Sequence, residues 1–193
     1  MKKTIIIGAI CVGATASALA QGTIIFENIF STGSVTLNST VGPYAISGTY
    51  TVALLWAPGN ALGVAQSQFT QIALYGAATG GATSTGYFID PATITTGTAT
   101  PPGGVAVFEV EGWLGAYTSY ADAIAHGVTA IGMSAEFLNS TGDPTQHPPT
   151  PPVNTTGWDG NLILAVPEPG TLALAALSVA GIWMFRRNQH MKD

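Results

Sequence analysis

Val105-Ala106-Val107-Phe108-Glu109-Val110-Glu111 decides how this chain folds. Ala106, Phe108 and Val110 alternate with Val105, Val107, Glu109 and Glu111. A strand puts alternate side chains on opposite faces, whereas a helix would turn Glu109 and Glu111 about 200° apart. The stretch therefore reads as a strand, with Ala106, Phe108 and Val110 facing a core and the glutamate face partly solvated. Working outward, short runs rich in Val, Ile, Thr and aromatics recur on both sides: Thr23–Phe26, Ser34–Leu37, Thr49–Trp56, Phe69–Tyr75, Tyr87–Ile89, Val128–Phe137 and Asn161–Ala165. Ala57-Pro58-Gly59-Asn60, the Gly/Ala/Thr/Ser-rich stretch 76–86 and Pro101-Pro102-Gly103-Gly104 separate them with turn chemistry. This punctuation predicts an all-β domain, a single β-sandwich or jelly roll.

One short helix is expected within it. Ser119 is a capping residue with Asp122 three positions on, Ala123, Ile124 and Ala125 are compatible with helix, and Gly127 closes it. His126 then falls in the last turn, where the helix dipole favours it, a structural rather than catalytic place. Residues 143–154, rich in proline, read as a loop or arm that leaves the domain and returns to it.

The distribution of charge divides the 193 residues further. Only 8% of them are charged, against roughly 25% in ordinary globular proteins. With 47% hydrophobic residues the chain is nonetheless rich enough to build a core. All five basic residues sit at the ends, Lys2, Lys3, Arg186, Arg187 and Lys192, and none lies between Thr4 and Phe185. A formal net charge of −5 with no central Lys or Arg excludes nucleic-acid binding, which needs cations to neutralise phosphates. Each basic cluster flanks an apolar run, as when positive charge fixes orientation across a membrane. Met1-Lys2-Lys3, apolar Ile5 to Val12 and Ala18-Leu19-Ala20 before Gln21 form a secretory signal peptide over residues 1–20, cut between Ala20 and Gln21. Cleavage there removes Cys11, the sole cysteine, so the mature domain has no disulfide.

At the other end stand Val166-Pro167-Glu168-Pro169-Gly170-Thr171, an apolar run from Leu172 to Phe185, and Arg186-Arg187. The prolines end any strand before them, and the arginines hold the apolar helix at a cytoplasmic face. This order resembles the PEP-CTERM sorting signal of Gram-negative bacteria that make exopolysaccharide. The resemblance implies that residues 166–187 are read by exosortase, a membrane cysteine protease. Val166, Pro167, Glu168, Pro169 and Gly170 would then be a substrate motif, Arg186 and Arg187 a cytoplasmic stop, and residues 188–193 a cytoplasmic tail. It also implies export, an inner-membrane anchored intermediate, and delivery to the cell surface or extracellular matrix, with residues 21–165 as the exported domain. Gly22-Thr23-Ile24-Ile25-Phe26-Glu27-Asn28, with Trp113 and the Tyr120-Ala121-Asp122-Ala123 segment, is similar to a group of verrucomicrobial PEP-CTERM surface proteins. That likeness implies an all-β exported domain with no known activity.

Little in the domain points to chemistry. Glu27, Asp90, Glu109, Glu111, Asp122, Glu136, Asp143 and Asp159 are scattered, without the spacing of a calcium loop, so no metal and no cofactor is expected. There is no G-x-S-x-G, and His126 and His147 are the only histidines of the domain, the second in the proline-rich arm. Asn38-Ser39-Thr40, Asn139-Ser140-Thr141 and Asn154-Thr155-Thr156 match the glycosylation pattern as expected of a Thr/Asn-rich surface. A competing reading is a carbohydrate-binding or polysaccharide-active, glycoside hydrolase-like protein. Glu109 and Glu111 would stand about 7 Å apart on one strand face, within the range of two-carboxylate hydrolysis. Trp56, Trp113, Tyr117, Tyr120 and Trp158 would either stack on sugars or pack the core. With no Lys or Arg in the domain, an anionic transition state has no cationic side chain to meet it. The expectation is therefore a non-enzymatic surface or matrix protein with no catalytic residues. Its partners are exosortase, the inner membrane before processing and extracellular polysaccharide.

Overall fold

The structure, a computed structural model, describes residues 21–38, 48–159 and 161–165. The signal helix and the C-terminal hydrophobic helix read from the sequence lie outside these residues. The chain runs β1 (Thr23–Glu27), β2 (Ser34–Asn38), β3 (Tyr50–Ala57), β4 (Thr70–Gly76), β5 (Thr83–Ser84), β6 (Tyr87–Thr95), β7 (Val105–Leu114), α1 (Tyr120–Ala125), β8 (Ile131–Met133), β9 (Phe137–Ser140), β10 (Val153–Asn154) and β11 (Asn161–Ala165). Two sheets form: a four-stranded one in the order β10-β1-β6-β5, and a larger one in the order β2-β11-β8-β7-β3-β4 with β9 also on β7. The protein is an all-β sandwich.

Its main core fills the space between the sheets. Ile24, Phe26, Phe88 and Ile94 project from the smaller sheet onto Val52, Leu54, Ala106, Phe108, Val110, Leu162 and Leu164 of the larger. Ala106, Phe108 and Val110 thus lie where the alternation of β7 put them. Aromatic packing adds to the area buried: Phe26 meets Phe88 edge-on at 4.7 Å between centroids, and Phe108 stacks on Phe137 at 5.9 Å. All eight residues of β3 are buried, because β4 and β7 flank it and both of its faces are covered.

The opposite face of β7 is less solvated than its glutamates imply. Val107 is fully buried and Glu109 is only 4% exposed. A second, smaller core covers this side, with Ala53, Leu55, Trp113 and Ala123 buried and Phe69, Leu74, Tyr117 and Tyr120 packed against them. Helix α1 folds back over the sheet and supplies Ala123 and Tyr120, an arrangement that alternation within one strand cannot reveal.

The Val128–Phe137 run forms not one strand but two. Both β8 and β9 pair antiparallel with β7, at Glu111↔Met133 to Trp113↔Ile131 and at Val105↔Ser140 to Phe108↔Phe137. Between them Ser134 steps out of the ladder, its N–H donating to Val110 O at 2.8 Å and its hydroxyl accepting from Val110 N at 2.9 Å. Strand β6 runs beyond Ile89 to Thr95, and Pro91, which has no N–H to donate, falls where the pairing with β1 shifts register.

The last strands insert beside the first. β10 pairs in parallel with β1, and β11 pairs in parallel with β2 over Asn161↔Ser34 to Ala165↔Asn38. The proline-rich segment is therefore an excursion between β9 and β10. Asp143 holds its base, accepting from Thr145 N at 2.8 Å and Thr145 Oγ1 at 2.6 Å. Close backbone approach also fixes β11 against β8, where a Cβ on Gly132 would run into the carbonyl oxygen of Ile163. Gly132→Ala is expected to cost about 1–3 kcal/mol by forcing these strands apart, measured by urea denaturation. An unchanged midpoint would show that the β8–β11 contact is slack.

Candidate functional site

With no Lys or Arg nearby, the carboxylates of the domain turn to backbone N–H groups. Glu27, fully buried, accepts from Ile29 N at 2.6 Å and Phe30 N at 3.0 Å and so shapes the β1–β2 turn. Asp90 accepts from Ala92 N at 2.9 Å across the β6 irregularity, and Glu136 from Gly63 N at 2.6 Å and Val64 N at 3.3 Å. Asp122 accepts from Thr118 N at 3.3 Å ahead of α1 and lies 3.2 Å from His126 Nδ1. Such bonds to oriented amides stabilise an anion without a counter-cation.

Glu109 and Glu111 are different. They project from the same face of β7, opposite Leu55 and Ala53 of β3, and Glu111 also faces Met133 of β8. Among the described residues no hydrogen-bond partner reaches Glu109 Oε1, which is buried. Burial raises the Glu109 carboxyl above its ordinary value, the amide of Gln66 counteracts this in part, and the charge of Glu136 adds to the rise. Burial and then the charge of Glu109 push Glu111 up to about 7. Tyr120, on α1, is raised by burial and by both glutamates. The pair thus holds a proton near neutrality because two carboxyls share a low-dielectric wall with no cation to relieve them.

The other residues singled out from the sequence have structural places. Trp113 is fully buried and donates its indole N–H to Tyr117 O at 3.1 Å; Trp56 is nearly buried and donates to Thr100 Oγ1 at 2.9 Å; Trp158 is 2% exposed. None of the three offers a sugar-stacking face. Tyr117 stacks on His126 at 5.1 Å, and Tyr120 meets Trp113 edge-on at 6.3 Å. Asn139, within one of the N-x-[ST] matches, is buried; its amide donates to Ser140 O at 2.8 Å and Asn154 O at 3.0 Å and accepts from Gly157 N at 2.8 Å. Among the described residues no group of three His, Cys, Asp or Glu is arranged to hold a metal ion. A surface depression of about 330 Å³ is lined by Gly59, Asn60, Ala99, Pro101 and Val105, with no titratable side chain among the described residues of its wall.

Two residues named in the sequence only as parts of longer patterns, Asn28 and Thr155, prove to be buried structural ties. Asn28 donates to Gly33 O and Gly86 O and accepts from Phe88 N at 2.8 Å, fastening the β1–β2 turn to β6. Thr155 bridges Glu27, taking a hydrogen bond from its N–H at 3.1 Å and donating to its carbonyl. An isolated Asn or Thr beside a strand carries no signal that sets it apart from a turn residue.

Among the described residues β11 runs to Ala165, the residue before Val166. Residues 165–188 match the PEP-CTERM protein-sorting motif. The motif implies export, a membrane-anchored intermediate and processing by exosortase. Of the sequence-read site residues, Ala18 and Ala20 and also Val166, Pro167, Glu168, Pro169, Gly170, Arg186 and Arg187 lie outside the described residues, and Gln21 is the first described residue. Comparison with curated proteins and with solved structures gave no match. The matched stretch thus begins on the last residue of β11.

Proposed function

We propose that the sandwich is the non-enzymatic cargo of this address, a surface or extracellular-matrix protein of a Gram-negative, exopolysaccharide-making bacterium. Its signal peptide is removed after Ala20, and its apolar run Leu172–Phe185 crosses the inner membrane until exosortase releases it. The match of residues 165–188 to the sorting motif carries this reading. The use of Glu27, Asp90, Asp122 and Glu136 as backbone caps supports the non-enzymatic part, since those acids are committed to structure. Mass spectrometry of the protein recovered from the cell surface is expected to find a C-terminus upstream of Leu172. Pro167→Ala with Glu168→Ala is expected to leave the chain anchored. A surface protein still ending at Asp193 sinks the proposal.

One observation favours a second reading, a carbohydrate-binding or polysaccharide-active protein. Glu111, with a carboxyl pushed up to about 7, has the proton affinity a general acid needs, and Glu109 stands beside it. Polysaccharide turnover by the released protein that disappears in Glu109→Gln would establish this reading over the first.

A further inference from the structure

The connection between β3 and β4 is held to the sandwich by side chains rather than by burial. From Pro58 to Gln68 every residue is exposed except half-buried Val64, and the 3₁₀ turn at Gln66–Gln68 buries none of its side chains. The backbone bonds from Gln68 N to Ala65 O at 2.8 Å and from Phe69 N to Gln66 O at 3.2 Å close that turn on itself. Glu136, 72 positions from Val64, reaches across to accept from Gly63 N at 2.6 Å and Val64 N at 3.3 Å, and the Gln66 amide donates to the Glu109 carboxyl. A segment that buries so little opens locally at far less cost than the whole domain unfolds. Gly59 and Gly63 supply pivots, with φ of 128° and 92° and open space where a Cβ would stand. Gly59 and Asn60 also border the surface depression, which leaves room beside the first turn of the segment.

Glu109 lies under this segment. It stands opposite Leu55 of β3, is only 4% exposed, and its buried Oε1 has no partner among the described residues. Phe69, where the segment ends, packs against the second core that contains Leu55. A neutral carboxyl is tolerated there, whereas an ionised one leaves a charge and an unsatisfied oxygen away from water. The groups facing the pair are acidic or uncharged: Glu136 between β8 and β9, Tyr120 on α1, Gln66 in the segment, Leu55 and Ala53 on β3 and Met133 on β8. His126 at the end of α1 is turned instead to Asp122 and Tyr117. Among the described residues no Lys or Arg stands near enough to balance the ionised pair, so water must solvate it. Water reaches Glu109 when the segment lifts.

We propose that residues 58–68 form a lid over the Glu109–Glu111 pair, latched by Glu136 and hinged at Gly59 and Gly63, which lifts as the pair ionises. The coupling is reciprocal: ionisation opens the lid, and closing the lid returns protons to the pair. Both carboxyls titrate above their ordinary range, so the lid is closed at acid pH and opens as pH climbs through neutrality. The open form presents two carboxylates to solvent on the outer face of the larger sheet. The lid governs access to the pair and is independent of both functional readings above.

Hydrogen exchange on the full-length chain, read on peptic fragments and corrected for the intrinsic pH dependence of amide exchange, follows the lid. At pH 5.5 and at pH 8 residues 59–68 are expected to be less protected than β3 and β7, and their protection is expected to fall about tenfold from the lower pH to the higher. Glu136→Ala is expected to lower lid protection about tenfold already at pH 5.5, with β3 and β7 unchanged. In Glu109→Gln with Glu111→Gln the protection of the lid is expected to be the same at both pH values. Coupling of glycinamide to Glu109 by a water-soluble carbodiimide at pH 5.5 gives a second readout, expected to run about tenfold faster in Glu136→Ala than in the parent. A lid as protected as β3, a parent lid indifferent to pH, or a pH dependence that survives in the double glutamine variant overturns the proposal. If the double variant fails to fold, as read by protease resistance, the labelling decides: equal rates at Glu109 in the parent and in Glu136→Ala overturn it.

Discussion

Trp113→Ala is expected to destabilise the domain by about 3–5 kcal/mol, lowering the melting temperature by about 10 °C. Trp113 is the largest member of the second core, whose other buried residues among those described are Ala53, Leu55 and Ala123. The neighbours are held by the strands and by α1 and cannot collapse fully into the space an indole leaves, so a cavity adds to the lost transfer energy. The hydrogen bond to Tyr117 O and the edge contact with Tyr120 vanish with it, and both lie in the segment that carries α1 across the sheet. Amide exchange is therefore expected to show α1 losing protection before the strands do. Trp113→Phe, which keeps much of the volume but not the N–H, is expected to cost about 1–2 kcal/mol. A loss under 1 kcal/mol for Trp113→Ala would mean that the side chains around it do not form a core.

The contrast between the two cores shows where the sequence was readable. Alternation in β7 placed Ala106, Phe108 and Val110 in the main core because that rule is local to one strand. The cap of α1 was local too: Asp122 N donates to Ser119 Oγ at 3.1 Å, and Gly127 takes a φ of 75° at the end. The burial of Val107 and Glu109 was not legible, since it depends on segments remote in sequence: Ala57 and Leu138 flank Val107 on the neighbouring strands, and Gln66 and Glu136 stand at Glu109. Nor were the parallel pairs β1–β10 and β2–β11. They join strands over a hundred residues apart, one of them only two residues long, and their partners are chosen by the packing of the whole sandwich.

The candidate sites divide in the same way. The sorting motif was legible because its order and position are properties of the linear sequence, and residues 165–188 match it. Glu109 and Glu111 were legible as neighbours on one face, but their chemistry was not. Burial sets their proton affinity first, followed for Glu109 by Gln66 and Glu136 from two other segments and for Glu111 by the charge of Glu109. Trp56, Trp113 and Trp158 illustrate the converse: an aromatic that would suit a sugar equally suits a core, and only burial decides.

Glu111 makes the domain less stable as pH rises, the reverse of the usual behaviour of a carboxylate. Its carboxyl titrates at about 7 in the folded protein against an ordinary value of 4.5, so between those limits the native state binds the proton that the unfolded chain has given up. Stability is therefore fully retained below about pH 4.5 as far as this group is concerned, and is lost as pH climbs through 7. The shift corresponds to at most about 3 kcal/mol, reduced by the partial exposure of the side chain to solvent. Glu109, raised for the same leading reason, acts in the same direction. Asp143, lowered by its bonds to Thr145, acts in the opposite sense but only at acid pH, outside this window. Urea denaturation at pH 5 and pH 8 is expected to give a lower midpoint at pH 8, and Glu111→Gln is expected to bring the two midpoints together by raising the one at pH 8. The glutamine keeps the size of the side chain and removes the charge that Leu55, Ala53 and Glu109 cannot accommodate. A parent midpoint that is flat or rises with pH would show that the pair is solvated and that its two carboxyls titrate independently, which would also remove the general-acid argument for polysaccharide chemistry at this face.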